Sequence, residues 1–231
     1  IATVYILANA IFVPIWGKLG DTIGRKKVYI FGFSLFIFGS VLAGFAWNLT
    51  SMIVFRVIQA IAGSADYPTA MAIIAVTFKE GKERAQALGI WSSSFAAASV
   101  FVPVISGSFI DNFGWCSVFF VSLAIGIVVL LMAIRFIHES RSFTKSHFFD
   151  WWGAITLGGF LSAIVLVLDR GQEWGWVSGA SMLCYISSII LCWLFIRIEQ
   201  AVPEPIVDLR FFKIPAFMNA LLNNFVIFMG M

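Results

Sequence analysis

Charge is what this sequence has least of. Only 12% of its 231 residues are Asp, Glu, Lys or Arg, where a soluble domain carries about 25%. In their place 61% of residues are hydrophobic, and mean hydropathy is +0.96. This shortage excludes an ordinary soluble domain and predicts an all-α polytopic membrane chain. Cysteines are three, Cys116, Cys184 and Cys192, an odd number within apolar runs, so they read as buried thiols and no disulfide framework is expected. The two histidines, His138 and His147, share a polar stretch with Glu139 and Asp150 at no metal-ligand spacing. They read as solvated loop residues, and no metal or cofactor is expected. No glycine-rich loop ending in Lys-Ser or Lys-Thr follows a strand, which argues against nucleotide hydrolysis and against an enzyme. The basic residues fall in short clusters with no continuous stripe, which argues against nucleic acid as a partner.

What is there is a series of apolar runs. A crossing needs about 20 mainly apolar residues, and that length predicts eight spans. They are Ile1 to Gly17, Val28 to Trp47, Ser51 to Phe78, Ala85 to Ile110, Trp115 to Phe136, Trp151 to Leu168, Trp176 to Ile196, and Ala216 to Met231. The first and last are expected to be truncated, since both ends of the sequence fall inside apolar runs. Thirteen of the 15 Lys and Arg residues fall in loops on one side, against Arg170 on the other and Arg56 within a span. The basic side is therefore expected to be cytoplasmic. Trp47, Trp115, Trp151, Trp152, Trp174 and Trp176 fall near span ends, where indoles favour the membrane interface.

The first inter-span stretch, Gly17 to Lys27, packs Lys18, Arg25, Lys26 and Lys27 around one carboxylate, Asp21. Glycines at 17, 20 and 24 permit a tight turn and close helix approach. The pattern G-x-L-x-D-x-x-G-R-K-K resembles the signature loop between the second and third helices of major facilitator superfamily transporters. The resemblance implies a fold built of three-helix units and a cytoplasmic gate at Gly17, Asp21, Gly24 and Arg25. Lys26 and Lys27 read more simply as obeying the charge bias. The spacing Gly17, Asp21, Gly24 recurs 90 residues on as Gly107, Asp111, Gly114, each copy following a proline, Pro14 and Pro103. Three spans separate the copies, so they lie on opposite faces and the three-helix repeat is expected to be inverted.

Arg56 and Asp66 are the formal charges expected deep in a span, and burying either costs several kcal/mol unless it faces protein or water. At 100° per residue Arg56, Gln59, Gly63 and Tyr67 share a helix face, with Asp66 close to the direction of Gln59. The spacing predicts a polar, cavity-lining stripe on one helix. The run Arg56 to Gly63 is similar to the superfamily's R-x-x-Q-G-x-G element, whose arginine is implicated in proton coupling; Ala60 replaces its first glycine. Asp66 reads either as a proton or cation site or as a structural partner for an arginine elsewhere. Glu83 and Arg84 read as members of the cytoplasmic charge network or as a solvated pair.

In the fourth span, Pro103 and Gly107 stand where antiporters of the superfamily carry G-P-x-x-G-G, with Val102 and Ser106 in place of glycines. They are expected to set helix packing. Two further spans and the run Pro203 to Phe212 resemble the fourteen-span drug:proton antiporter branch. The expected organisation is a transporter half over 1–136, a loop with two inserted linker helices over 137–200, and the start of a second half over 201–231. The resemblance implies a multi-pass protein of the plasma or bacterial inner membrane. It implies proton-coupled efflux of small amphipathic or cationic substrates among membrane lipid, with transport of one defined metabolite, or a non-transporting scaffold, as alternatives.

Overall fold

A computed structural model of the chain describes residues 2–139, 150–203 and 205–229. Its helices are α1 (Ala2–Ile23), α2 (Arg25–Gly44), α3 (Leu49–Gly63), α4 (Asp66–Thr77), α5 (Lys82–Phe113), α6 (Ser117–Phe136), α7 (Trp151–Trp174), α8 (Gly179–Ala201) and α9 (Pro215–Met229). A 3-10 turn at Leu209–Lys213 precedes α9. Among the described residues seven segments are long and apolar enough to cross a membrane, α3 and α4 together making one of them. The eighth expected crossing, α9, has 15 helical residues among the described ones, shorter than a span needs. The helices fall into two compact units, Ile1–His147 and Phe148–Met231. His147 itself, with Arg141 and Lys145, lies outside the described residues.

The first unit holds α1 to α6, with α2 packed against α3 and α6. Beside a cluster of Trp16, Val28 and Ala65, much of its core is small and polar, because in lipid an apolar side chain gains little by turning inward and close backbone approach decides the packing. Ser40, Ala43, Ala60, Ala62, Ser64, Ala65 and Thr69 are all buried. Where α2 crosses α3, a side chain on Gly39 would begin 3.0 Å from the Gln59 Cα. Beside that crossing the Gln59 amide donates to the Ser40 hydroxyl at 2.6 Å.

Two expectations about helix ends are corrected. The Gly17 to Lys27 stretch is not a loop: α1 continues to Ile23, Gly24 alone leaves helical geometry, and α2 starts at Arg25. Likewise the span Ser51 to Phe78 is not one helix. Pro68 has no N–H for the Ser64 carbonyl and its ring crowds that turn, so the helix breaks between α3 and α4 at Ser64 and Ala65. The break leaves the Ile61 carbonyl without its usual Ala65 N–H, which turns to Ala62. The Trp16 indole N–H at 2.6 Å and the Ser64 hydroxyl at 2.7 Å take that carbonyl instead. The cysteines are half-buried and free rather than fully buried.

In the second unit α7 and α8 form a hairpin. Asp150 caps α7 by accepting the Gly153 N–H at 2.8 Å, and Ser178 caps α8. The stretch after α8 is tied back by the Val207 N–H, which donates to Glu199 at 3.4 Å. Asp208 starts the 3-10 turn by accepting from the Arg210 main chain and guanidinium, both at 3.0 Å. That guanidinium, and the N–H beside it, hold the Asp208 carboxyl below the usual carboxylate range.

Replacing Gly39 with Val is expected to overpack the α2–α3 crossing and destabilise the first unit by about 1–3 kcal/mol. Thermal unfolding of the detergent-solubilised protein checks this, and an unchanged midpoint contradicts it.

Candidate functional site

Two groups of candidate residues come together in the first unit, one at the Gly24 corner and one around the α3–α4 break. At the corner, Gly24 has φ 118° and ψ 134°, a region open essentially to glycine alone. Its N–H closes the end of α1 onto Gly20 O at 3.1 Å. One residue later Arg25 turns back. Its guanidinium donates twice to Asp21 Oδ1, at 2.9 and 3.2 Å, and once to the Ala72 carbonyl of α4 at 3.0 Å. Asp21 is 44% exposed and Arg25 15%, so the ion pair itself contributes little. Its consequence is geometric, because Arg25 joins the α1–α2 corner to α4.

The corner gathers more groups than the spacing predicts. Arg84, at the start of α5, donates to Ala75 O of α4 at 2.6 Å and to Glu80 at 3.4 Å. It therefore holds a helix end as well as a solvated partner, whereas Glu83 is exposed. Gly17 packs on Pro68, where an added Cβ would sit 3.6 Å from the proline Cβ. Glu139, expected to be a solvated loop residue, lies against Gly24. A side chain there would begin 2.6 Å from its Oε1. Asp150, expected to be solvated, is instead 2% exposed in the cap of α7.

The second copy of the motif makes a matching corner. Gly114, φ 80°, ends α5 with its N–H on Ile110 O at 2.9 Å. Three crossings lie between the two corners, which puts them at opposite ends of the unit.

The expected stripe of Arg56, Gln59, Asp66 and Tyr67 is divided by the α3–α4 break. Arg56 donates to Gln59 Oε1 at 3.2 Å. Its guanidinium carbon lies 4.8 Å from the Phe119 ring centre and 5.9 Å from that of Tyr5, within cation–π range. The Arg56 Nε is buried with no hydrogen-bond partner among the described residues. Around Arg56 is a cavity of about 230 Å³, also lined by Ile110, Trp115 and Phe119 near the Gly114 corner.

Asp66 opens α4 instead, a favourable place for an anion, and it is exposed on this unit. Tyr29 of α2 lies beside it. Together they line a separate cavity of about 180 Å³ with Tyr5, Phe33, Phe36 and Gly63. Tyr67 turns away to meet Trp91 edge-on, ring centres 5.2 Å apart. Tyr5 and Tyr29 are absent from the sequence-based expectation, because nothing in the local pattern distinguishes them from interfacial aromatics.

Pro103 and Gly107 lie on α5, which has no fully buried residue. A Cβ on Gly107 would meet no described atom within 4 Å.

The whole chain, residues 1–231, matches the family model described as Major Facilitator Superfamily. It is 33% identical over 232 residues to the multidrug transporter protein MdtP of Bacillus subtilis (strain 168), covering 100% of this chain and 42% of that protein. It is 30% identical over 210 residues to the tetracenomycin C resistance and export protein of Streptomyces glaucescens, covering 90% and 39% respectively. With the multidrug export protein EmrB of Escherichia coli (strain K12) it shares 29% over 215 residues, 92% of this chain and 42% of that one. The chain thus spans about two-fifths of the length of these relatives.

Replacing Gly24 with Ala is expected to destabilise the first unit by about 1–3 kcal/mol, through the positive φ and the displaced Glu139. Replacing Gly20 with Ala should change little, since its Cβ would meet Thr69 at an ordinary 3.6 Å. Thermal unfolding of both variants checks the difference; equal midpoints contradict it.

Proposed function

We propose that this chain, which belongs to the Major Facilitator Superfamily, forms part of a proton-coupled multidrug exporter that works by alternating access. The observation that carries this reading is the 33% identity, along the entire chain, to a protein named as a multidrug transporter. The chain supplies helices to a transporter and is not an enzyme. It sits in a cell membrane, the inner membrane in a bacterium, among lipid. Its proposed substrates are small amphipathic or cationic compounds, exchanged for protons. In the same reading residues 1–136 belong to the N-terminal transporter half, 137–200 hold the linker helices and 201–231 begin the second half.

The geometry supports two separate roles. Asp66, with Tyr29 and a cavity beside it, is a group that can bind and release a proton where a cationic substrate also has reason to bind. Arg56, flanked by Phe119 and Tyr5, is a fixed positive charge on the other side of the α3–α4 break. Tyr5 touches both places, so a change of charge at one is felt by the aromatic wall of the other. Asp21, Arg25, Gly17 and Gly24 are assigned to the cytoplasmic gate. Gln59 and Tyr67 orient the helix beside the cavity, and Pro103 and Gly107 shape α5.

A second reading, transport of one defined metabolite, is favoured by one observation: Val102 and Ser106 stand where the antiporter pattern has glycine.

The test is efflux of a lipophilic cation dye from proteoliposomes holding the complete protein under an imposed pH gradient. The drug-exporter reading expects gradient-driven efflux that falls at least tenfold in Asp66→Asn and in Arg56→Ala. Efflux that ignores the gradient, or survives unchanged in Asp66→Asn, overturns the proton-coupling assignment. A wild type inert to the dye moves the metabolite reading ahead.

A further inference from the structure

Lys26 follows the gate residues, and its ammonium and main-chain N–H meet α6 and a residue three positions past its end. Its ammonium donates to the Ile134 carbonyl at 2.9 Å, and its main-chain N–H donates to Glu139 Oε1 at 3.3 Å. Both main-chain groups belong to helix ends. The Ile134 carbonyl lies in the last turn of α6, which stops at Phe136, so no helical N–H four residues on receives it. The Lys26 N–H lies in the first turn of α2, which starts at Arg25, and is one of the donors a helix start leaves over. Each segment therefore supplies what the other helix end lacks. The charges also agree with the helix dipoles, a cation at the end of α6 and an anion at the start of α2.

We propose that Lys26 and Glu139 form a reciprocal clasp, so that the basic ends of α2 and α6 move as one body. Gly24 makes the clasp possible, because any Cβ there would occupy the place of the Glu139 carboxylate. Arg25 carries the corner's motion to α4, and the clasp carries it to α6. Lys26 and Glu139 are positioning residues in this scheme: they touch no substrate, and the clasp holds whatever the protein transports.

The test is a pair of spin labels at Lys27→Cys and Phe136→Cys, both exposed positions, in the complete protein with Cys116, Cys184 and Cys192 replaced by Ser. Distances are read by double electron–electron resonance without substrate or gradient. The native clasp gives one narrow distribution. Glu139→Gln and Lys26→Met each raise the long-distance population, by roughly two- to fivefold if a helix-end charge is worth its usual amount.

The exchanged pair Lys26→Glu with Glu139→Lys separates a clasp from an ordinary ion pair. It puts a carboxylate against the Ile134 carbonyl and an ammonium against the α2 N–H, so it is expected to be at least as broad as either single variant. A native distribution in the exchanged pair would overturn the cross-capping geometry. A native distribution in both single variants would show that apolar packing alone holds α2 to α6. Neither result touches the dye-efflux reading, which is tested separately.

Discussion

A main-chain N–H or C=O left without a partner in hydrocarbon costs several kcal/mol, and the first unit is arranged around that constraint. At several of its helix ends and breaks, a side chain from another element takes a main-chain group. At the α3–α4 break the Trp16 indole takes the Ile61 carbonyl. At the basic end, Arg25 and Arg84 reach carbonyls of α4, Lys26 reaches α6, and Glu139 reaches α2. In a chain with so few charges, a cluster of four at one place is costly to assemble unless each is used. The polar corner is thus explained by the helix ends it holds as much as by the side of the membrane it faces.

The same constraint accounts for where candidate function sits. A continuous α3–α4 helix would place Arg56 and Asp66 on one surface. Pro68 interrupts it, and the two charges then occupy different cavities with different neighbours. Arg56 joins Phe119 of α6 and the Gly114 corner; Asp66 joins Tyr29 of α2. Tyr5 on α1 is common to both. On the proposed reading, coupling between Asp66 and Arg56 has a short physical route through one aromatic residue, without a direct contact between the charged groups.

Much of this was legible from residues alone. The all-helical membrane class followed from the apolar runs, and the family from the Gly17 to Lys27 pattern, which the match over residues 1–231 bears out. The positive-φ glycines at 24 and 114 were visible as a repeated spacing. Pro68 was visible too, but its effect on the span was underweighted, because hydropathy is blind to a missing N–H. The rest was hidden by distance along the chain. Lys26 and Glu139 are 113 positions apart, and Tyr29 meets Asp66 from another helix, so no local pattern marks either pairing. The expectation of solvation failed for Asp150, whereas Glu139 is the exposed loop residue that was expected. A carboxylate at a helix start looks the same in sequence as one in a loop, unless the helix boundary is known.

The central claim is that the Gly24 corner ties α1, α2, α4 and α6 together at the basic end. Hydrogen exchange of the complete protein, native against Arg25→Ala, tests it most directly. The account predicts that losing one guanidinium raises exchange at the end of α1 and also at residues 72–78 of α4, while the clasp keeps α2 and α6 in step. Faster exchange confined to residues 21–25, with α4 unchanged, would contradict it.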